Sequence, residues 1–526
     1  MAKGLLALVL HAHLPFVRHP EYEEFLEESW LYEAITETYI PLLRLLERAV
    51  QDQIPCRLTL SLSPPLLNML DDALLQDRYV RRLERLIALA AKETARTRSD
   101  LAFYRLAQMY LELFTQARAT FVDRYHCNLP QAFRQLQDAG VLEIMSCAAT
   151  HGYLPLLHVN EKAVRAQVRI GIDEYQRFFM RAPAGIWLPE CGYYPGLDEI
   201  LQAYGIRYFI VDTHAIMYAT PRPVYATYAP VYCPSGVAAY GRDADSSKQV
   251  WSSHEGYPGD PQYRDFYRDI GYDLDEAYIR PYLPPPGDRV PLGIKYYRIT
   301  GHTNEKAPYD PQQARERATE HARHFVAERT QHAERFAEKM DRPPLMVAPY
   351  DAELFGHWWF EGPWWLESVI RQAAAEPGTL QLITPAEYLQ RFPTNQIATP
   401  AASSWGAHGY HAVWLSDANR WIYRHLHQAA DRMVELAARF PQAEGLQRRA
   451  LDQAARELLL AQSSDWAFLI EQGTAPQYAT ARVKQHLSRF TQLYETLCAD
   501  RLDEAWLSTI ASQDNIFPAV DYRVYR

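Results

Sequence analysis

The sequence predicts a closed or nearly closed β/α barrel with helical additions, and three observations carry the prediction. Short aliphatic runs recur from residue 5 to residue 348. Helix-like segments separate them. Each run stops in polar or aromatic residues, and several of those are residue types that do chemistry.

Taken in order, the runs are Leu5 to Leu10, Cys56 to Ser63, Val141 to Ala148, Gly185 to Pro189, Tyr208 to Val211, Val237 to Tyr240 and Leu345 to Ala348. Strands that are apolar throughout must be covered on both faces, which is the condition of a parallel sheet wrapped by helices. In such barrels the reactive groups sit where the strands end. His11, His13, His151, Glu190 and Asp351 all fall at such ends. Between the second and third runs, residues 67–140 have helical periodicity with many Arg and Glu, and read as a helical excursion forming one wall of a cleft. Asp310 followed by Pro311 is an N-cap with proline at the first helical position, which opens a polar helix to about Met340. Beyond Ser416 the pattern is helical, and Leu451, Ala454, Ala455, Leu458 and Leu459 make one apolar stripe of a bundle helix. The expected division is a barrel from 1–66 and 141–400, an inserted helical subdomain at 67–140 and a C-terminal helical domain at 401–526.

Bulk properties exclude several classes. With 54 basic and 64 acidic side chains the net charge is −10, and no basic stripe exists for a phosphate backbone, so nucleic acid is not an expected partner. No apolar stretch approaches the ~20 residues that span a bilayer, and His11 and His13 occupy the place of a leader's cleavage site. Six cysteines without repeated spacing read as free thiols in a reducing compartment, hence a cytoplasmic enzyme. Aromatic residues are 13% of the chain, many of them in segments broken by Pro and Gly, where flat rings suit the apolar faces of sugars.

Glu190 ends the strand Gly185 to Pro189 and is followed by Cys191-Gly192-Tyr193-Tyr194-Pro195-Gly196. It is either a catalytic acid or a cap for a neighbouring loop. Asp351 follows Val347-Ala348-Pro349-Tyr350, where the alternative is an N-cap for the next helix, and Glu353 two residues on is a second candidate acid. Two carboxylates from separate strands suit glycoside chemistry, one attacking the anomeric carbon while the other protonates the departing oxygen. A gap of about 5–5.5 Å between them implies a covalent intermediate and retained configuration.

His11 and His13 share one face of a strand end because side chains alternate. With His151 and a carboxylate they could ligate a metal, as in a deacetylase or mannosidase; alternatively they bond sugar hydroxyls. No nucleophile elbow or glycine-rich phosphate loop is present. Trp30, Trp358, Trp405 and Trp414 are candidate sugar platforms, and Trp405 and Trp414 stand out because Gly, His and Ser surround them.

His11-Ala12-His13-Leu14-Pro15, His151-Gly152-Tyr153-Leu154-Pro155, Trp187 to Gly196, Tyr350 to Gly356 and Ser404 to Trp414 together resemble the five sequence regions of glycoside hydrolase family 57, in family order. The resemblance implies a (β/α)7 barrel, Glu190 as nucleophile, Asp351 as general acid/base, and no metal or other cofactor. Gly241-Arg242-Asp243, Gly256-Tyr257-Pro258-Gly259-Asp260 and Gly293-Ile294-Lys295-Tyr296-Tyr297 are most similar to the 1,4-α-glucan branching enzymes of that family. That likeness implies an α-glucan partner, Trp405 and Trp414 supplied to the cleft by a helical C-terminal domain, and a loop tyrosine covering the intermediate, with Tyr240 and Tyr257 as candidates; His11, His13, Trp30, His151, Arg242 and Trp358 are further candidate binding residues. A 4-α-glucanotransferase or an α-amylase on the same scaffold is the alternative.

Overall fold

The computed structural model describes every residue except 1, 253, 254, 285, 286, 302 and 304. Its single sheet contains β1 (Gly4–Ala12), β2 (Leu58–Leu62), β3 (Leu142–Cys147), β4 (Gly185–Trp187), β5 (Tyr208–Val211), β6 (Val231–Tyr232), β7 (Ala238–Gly241), β8 (Leu345–Asp351) and β9 (Leu380–Leu382). The strands run in the order β6-β7-β5-β4-β3-β2-β1-β8, with β9 paired to the start of β1. Among the described strands only β6 is antiparallel. Setting aside β6 and the short β9, seven parallel strands remain, and the outermost two approach each other. Asp243 N–H donates to the Val347 carbonyl at 2.8 Å, and Leu345 N–H donates to that of Tyr228 at 2.9 Å. The sheet thus curls into a nearly closed (β/α)7 barrel.

Every expected strand forms, because alternation sends one set of side chains inward and the other outward onto helices. Leu5, Ala7, Val9, Trp187, Tyr208, Ile210 and Val347 fill the interior. Leu6, Leu8 and Leu10 pack outward in the large core shared with the helices. Full burial of one such aliphatic side chain contributes about 1.5–3 kcal/mol. β6 and β9 lie outside the expected set, being too short to leave a periodic signal.

Asp72 and Asp100 cap the helices Ala73–Arg96 and Leu101–Ala119 in the inserted region. Asp310 accepts from the N–H groups of Gln312 and Gln313 at 3.0 and 3.2 Å, opening the helix Pro311–Ala337. The C-terminal region is a bundle of Trp421–Arg439, Gly445–Ala461, Ser464–Gln472, Pro476–Cys498 and Glu504–Gln513. Leu451, Ala454, Ala455, Leu458 and Leu459 form its buried stripe. All six cysteines are free. Among the described residues no helix is long and apolar enough to cross a membrane.

Candidate active site

The site lies across the carboxyl ends of the strands and is finished by the C-terminal bundle. After β4 the chain turns sharply: Glu190 and Cys191 both take positive φ, 62° and 51°. Non-glycine residues in this region are strained by about 1–3 kcal/mol each and persist only where surrounding contacts impose them. Here a crossing segment does so. Tyr193 N–H donates to Ser403 O at 3.0 Å, Ser403 N–H returns to Tyr193 O at 3.1 Å, and Trp405 N–H donates to Glu190 O at 2.9 Å. The turn aims the carboxylate at two donors: Trp405 Nε1 reaches Oε2 at 2.9 Å and Ser464 Oγ reaches Oε1 at 3.0 Å. Desolvation, reinforced by the charge of Asp465, pushes the Glu190 carboxyl up to about 7 against the pull of those donors.

Asp351 ends β8 directly beside His11 of β1, which in turn lies beside Ser61 of β2. It heads a short turn of helix without capping it, so the N-cap alternative is not what this side chain does. Desolvation and then the charge of Glu190 raise it to about 7, and no hydrogen bond among the described residues opposes them. The two carboxyls are therefore electrostatically coupled. Glu353 is engaged elsewhere, accepting from Tyr39 Oη at 2.5 Å and from the His13 N–H at 3.2 Å, and burial raises it to about 8.

Three imidazoles line the floor. His13 and His151 stack with centroids 3.8 Å apart, and His11 stacks on Trp187 at 4.6 Å. His13 bonds Ser63 through Nδ1 at 2.8 Å and Asp465 through Nε2 at 2.9 Å. His11 bonds Ser61 through Nδ1 at 3.2 Å and His151 through Nε2 at 2.9 Å, while His151 Nδ1 meets Ser464 Oγ at 2.8 Å. His13, His151 and Asp465 place ligand-type atoms within 4.8 Å of one another. Yet each ring nitrogen of the three histidines already has a protein partner, so the donor set fits a hydrogen-bond network better than a metal's coordination shell. Burial would raise Asp465, but contact with the His13 ring overrides it and holds that carboxyl at about 2.

A strand-end carboxylate pair, a strained turn and an aromatic donor from a crossing segment define a glycosidase-type centre, and comparison with known proteins names its lineage. The family model described as Glycosyl hydrolase family 57 matches residues 7–401. The chain belongs to glycosyl hydrolase family 57. A second model, 1,4-alpha-glucan branching enzyme, C-terminal, matches residues 425–525. This family 57 chain is 35% identical to a 1,4-alpha-glucan branching enzyme of Thermococcus kodakarensis, over 98% of the chain and 78% of that protein. Among solved structures it is similar to the alpha-amylase AmyC of Thermotoga maritima, at 45% identity and a TM-score of 0.93, covering 99% of both chains. It is also similar to the family 57 branching enzyme of Pyrococcus horikoshii, at 34% identity and a TM-score of 0.90, covering 99% of this chain and 97% of the other.

Against this family 57 frame, the residues singled out from the sequence separate into those gathered at the centre and those elsewhere. Glu190, Asp351, His11, His13, His151 and Trp405 converge. Arg242 joins them from the end of β7, bonding Asp212 at 3.1 Å with its guanidinium 5.8 Å from the Trp405 ring. Tyr240 is a correction: it is fully buried inside the barrel and donates its hydroxyl to Pro385 O at 2.7 Å, because its parity on β7 points it inward. Tyr257 is another, stacked on His321 at 4.5 Å and bonded to His324 Nδ1 at 2.8 Å against the helix Pro311–Ala337. Trp414 is a third. It is 1% exposed, pressed between Tyr153, 4.5 Å away, and the backbone at Gly406, where a Cβ would sit 2.6 Å from the indole. It backs the site and offers no platform. Trp358 is 53% exposed and stacks on Phe266 at 4.6 Å. Trp30 lines a separate cavity of about 460 Å³ with Glu33, Arg82 and Tyr272, which contains neither Glu190 nor Asp351.

Ser464 and Asp465 belong to the site without having been singled out from the sequence. They open the helix Ser464–Gln472, and the only trace in the sequence is the polar break Gln462-Ser463-Ser464-Asp465 after an apolar helix, which reads as an ordinary cap. The same holds for His214, bonded to Asp212 at 3.1 Å and to Gly409 O at 2.9 Å.

Proposed function

We propose that this chain is a 1,4-α-glucan branching enzyme that works by retaining transglycosylation, with Glu190 as nucleophile and Asp351 as general acid/base. The observation that carries the assignment of roles is the asymmetry of hydrogen bonding. Glu190 accepts from Trp405 and Ser464, which favours its anion, whereas Asp351 accepts from no donor among the described residues and is the group that keeps a proton when the pair shares one.

Glu190 attacks the anomeric carbon of an α-1,4 linkage while Asp351 gives its proton to the departing chain, leaving a β-glycosyl ester on Glu190. Asp351, now anionic, takes the proton of an acceptor 6-hydroxyl, whose oxygen displaces Glu190 and closes an α-1,6 link. An α-glucan is thus both donor and acceptor. In this reading the exposed Trp358 and the partly buried Trp405 beside Glu190 stack on glucose units.

A second reading, α-amylase, is favoured by one specific finding: Tyr240 and Tyr257 are packed away from the carboxylates, so neither covers the ester against water. The 45% identity to AmyC points the same way. Incubating amylose with the enzyme, debranching the product and sizing the released chains separates the two. New short chains with an α-1,6 anomeric proton signal mean branching; reducing ends without that signal mean hydrolysis.

A further inference from the structure

Four side chains from four elements of the fold lead to Glu190 in an unbroken line. Ser61 Oγ meets His11 Nδ1 at 3.2 Å, His11 Nε2 meets His151 Nε2 at 2.9 Å, His151 Nδ1 meets Ser464 Oγ at 2.8 Å, and Ser464 Oγ meets Glu190 Oε1 at 3.0 Å. A neutral imidazole carries one N–H and one bare nitrogen, and a hydroxyl has one proton to give. Each link therefore fixes the next. Both histidines are deeply buried, and burial followed by neighbouring rings drives them well below their usual range, so both are neutral.

We propose that Ser61, His11, His151 and Ser464 form a hydrogen-bond chain whose direction is locked to the ionisation of Glu190, with Ser464 as the positioning residue that couples the two. When Glu190 is an anion, Ser464 must donate to it. His151 then donates from Nδ1 to Ser464, His11 donates from Nε2 to His151, and Ser61 donates to His11 Nδ1. When Glu190 carries a proton on Oε1, that proton goes to Ser464 and every link reverses: Ser464 donates to His151 Nδ1, His151 Nε2 to His11, and His11 Nδ1 to Ser61. Ser61, His11, His151 and Ser464 each keep one proton in both states, differently placed, and the one proton gained is that of Glu190, taken up from solvent, so no net charge is created in the floor of the site. Charged groups around the chain leave this logic intact. His13 acts on His11, His151 and Asp351, Asp465 acts on His151 and Glu190, Glu190 acts on Asp351, and Arg242 acts on Asp351. Asp465 is held by His13 and Ser463 and takes no link of the chain.

The experiment is nitrogen-15 NMR of histidine-labelled full-length protein, with the His11 and His151 signals assigned by loss in His11→Gln and His151→Gln. At pH 8 the wild type should show His151 protonated on Nδ1 and His11 on Nε2. In Glu190→Gln, Trp405 Nε1–H requires the amide oxygen on its own side, so the amide NH2 faces Ser464 and both tautomers should switch. Unswitched tautomers, or an imidazolium at either position, would overturn the chain. A kinetic arm rests on the reading of Glu190 as nucleophile. Ser464→Ala should lower kcat roughly 10- to 100-fold, the worth of a hydrogen bond to a charged group, and move the acidic limb of the pH profile upward; Ser464→Thr should restore both. An unmoved acidic limb in Ser464→Ala counts against the proposal. The two readings fail separately: an active Glu190→Gln removes Glu190 as nucleophile, whereas an inactive one with unswitched tautomers removes the chain.

Discussion

Among the clusters of buried ionisable groups in this molecule, two treat a carboxylate in opposite ways. In the C-terminal bundle Asp514 is 1% exposed and is bonded by Arg482 at 3.4 Å and by Arg489, with His486 Nδ1 at 3.7 Å. Burial would raise it, but its contacts with His486, Arg482 and Arg489 hold it below its ordinary value. At the strand ends, Glu190 and Asp351 are desolvated without a bonded cation and both rise to about 7. Burial alone does not mark a functional carboxylate. What distinguishes the pair is that the protein withholds the partner that would settle its charge, leaving a proton free to move near neutrality.

The sharpest way to break this comparison is to neutralise each cluster. Glu190→Gln should abolish turnover of α-glucan, and Asp351→Asn should cut it by about 10²–10⁴-fold, the range of general acid–base catalysis, while circular dichroism stays unchanged. Asp514→Asn should do the reverse. Removing one partner of a buried ion pair strands the others, at a cost of about 3–5 kcal/mol in stability by denaturant titration, with kcat per folded molecule preserved. Equal loss of activity in all three would erase the distinction.

A smaller effect follows from pH. A carboxyl whose folded value is raised binds its proton more tightly when folded, so its contribution is fully present below the unfolded value of about 4 and is lost as pH rises through about 7. Glu190→Gln removes one such group and lessens the burden on Asp351. Its melting temperature should therefore match the wild type near pH 4 and exceed it at pH 8. Asp514 is depressed, and its contribution is lost instead as pH falls below the ordinary carboxylate range. A Glu190→Gln variant less stable than wild type at pH 8 would show the pair to be structural.

Strand positions were legible because a short run that is apolar throughout has to be covered on both faces, and the cap at Asp310 and the stripe from Leu451 to Leu459 follow from equally local rules. Glu190 and Asp351 were legible because a strand end confines a side chain to one face of the barrel. Ser464 and Asp465 were not, since they come from a separate bundle and their pattern is that of any helix start; only docking of the bundle brings Ser464 to Glu190. Tyr240 was misplaced for a reason of parity. It pairs with Ile210 across the β5–β7 ladder and points into the barrel, while its neighbour Gly241 begins the turn that delivers Arg242. Aromatic content signalled sugar platforms without telling the exposed Trp358 from the buried Trp414. Trp358→Ala should raise KM for amylose by roughly 5- to 30-fold with kcat held, from about 1–2 kcal/mol of lost apolar contact, whereas Trp414→Phe should disturb kcat by loosening the wall behind Glu190.

The smallest expected effect tests the correction most directly. Tyr240→Phe deletes one hydroxyl whose partner is the Pro385 carbonyl. Losing a neutral hydrogen bond in a barrel interior costs about 0.5–1.5 kcal/mol, so the melting temperature should fall by a few degrees and nothing else should change. If Tyr240 instead swung over the glycosyl ester, its hydroxyl or ring would alter how often water wins against an acceptor. The ratio of new reducing ends to new α-1,6 links is the quantity to measure. An unchanged ratio in Tyr240→Phe and in Tyr240→Leu leaves water exclusion to other groups, the acceptor chain itself among them.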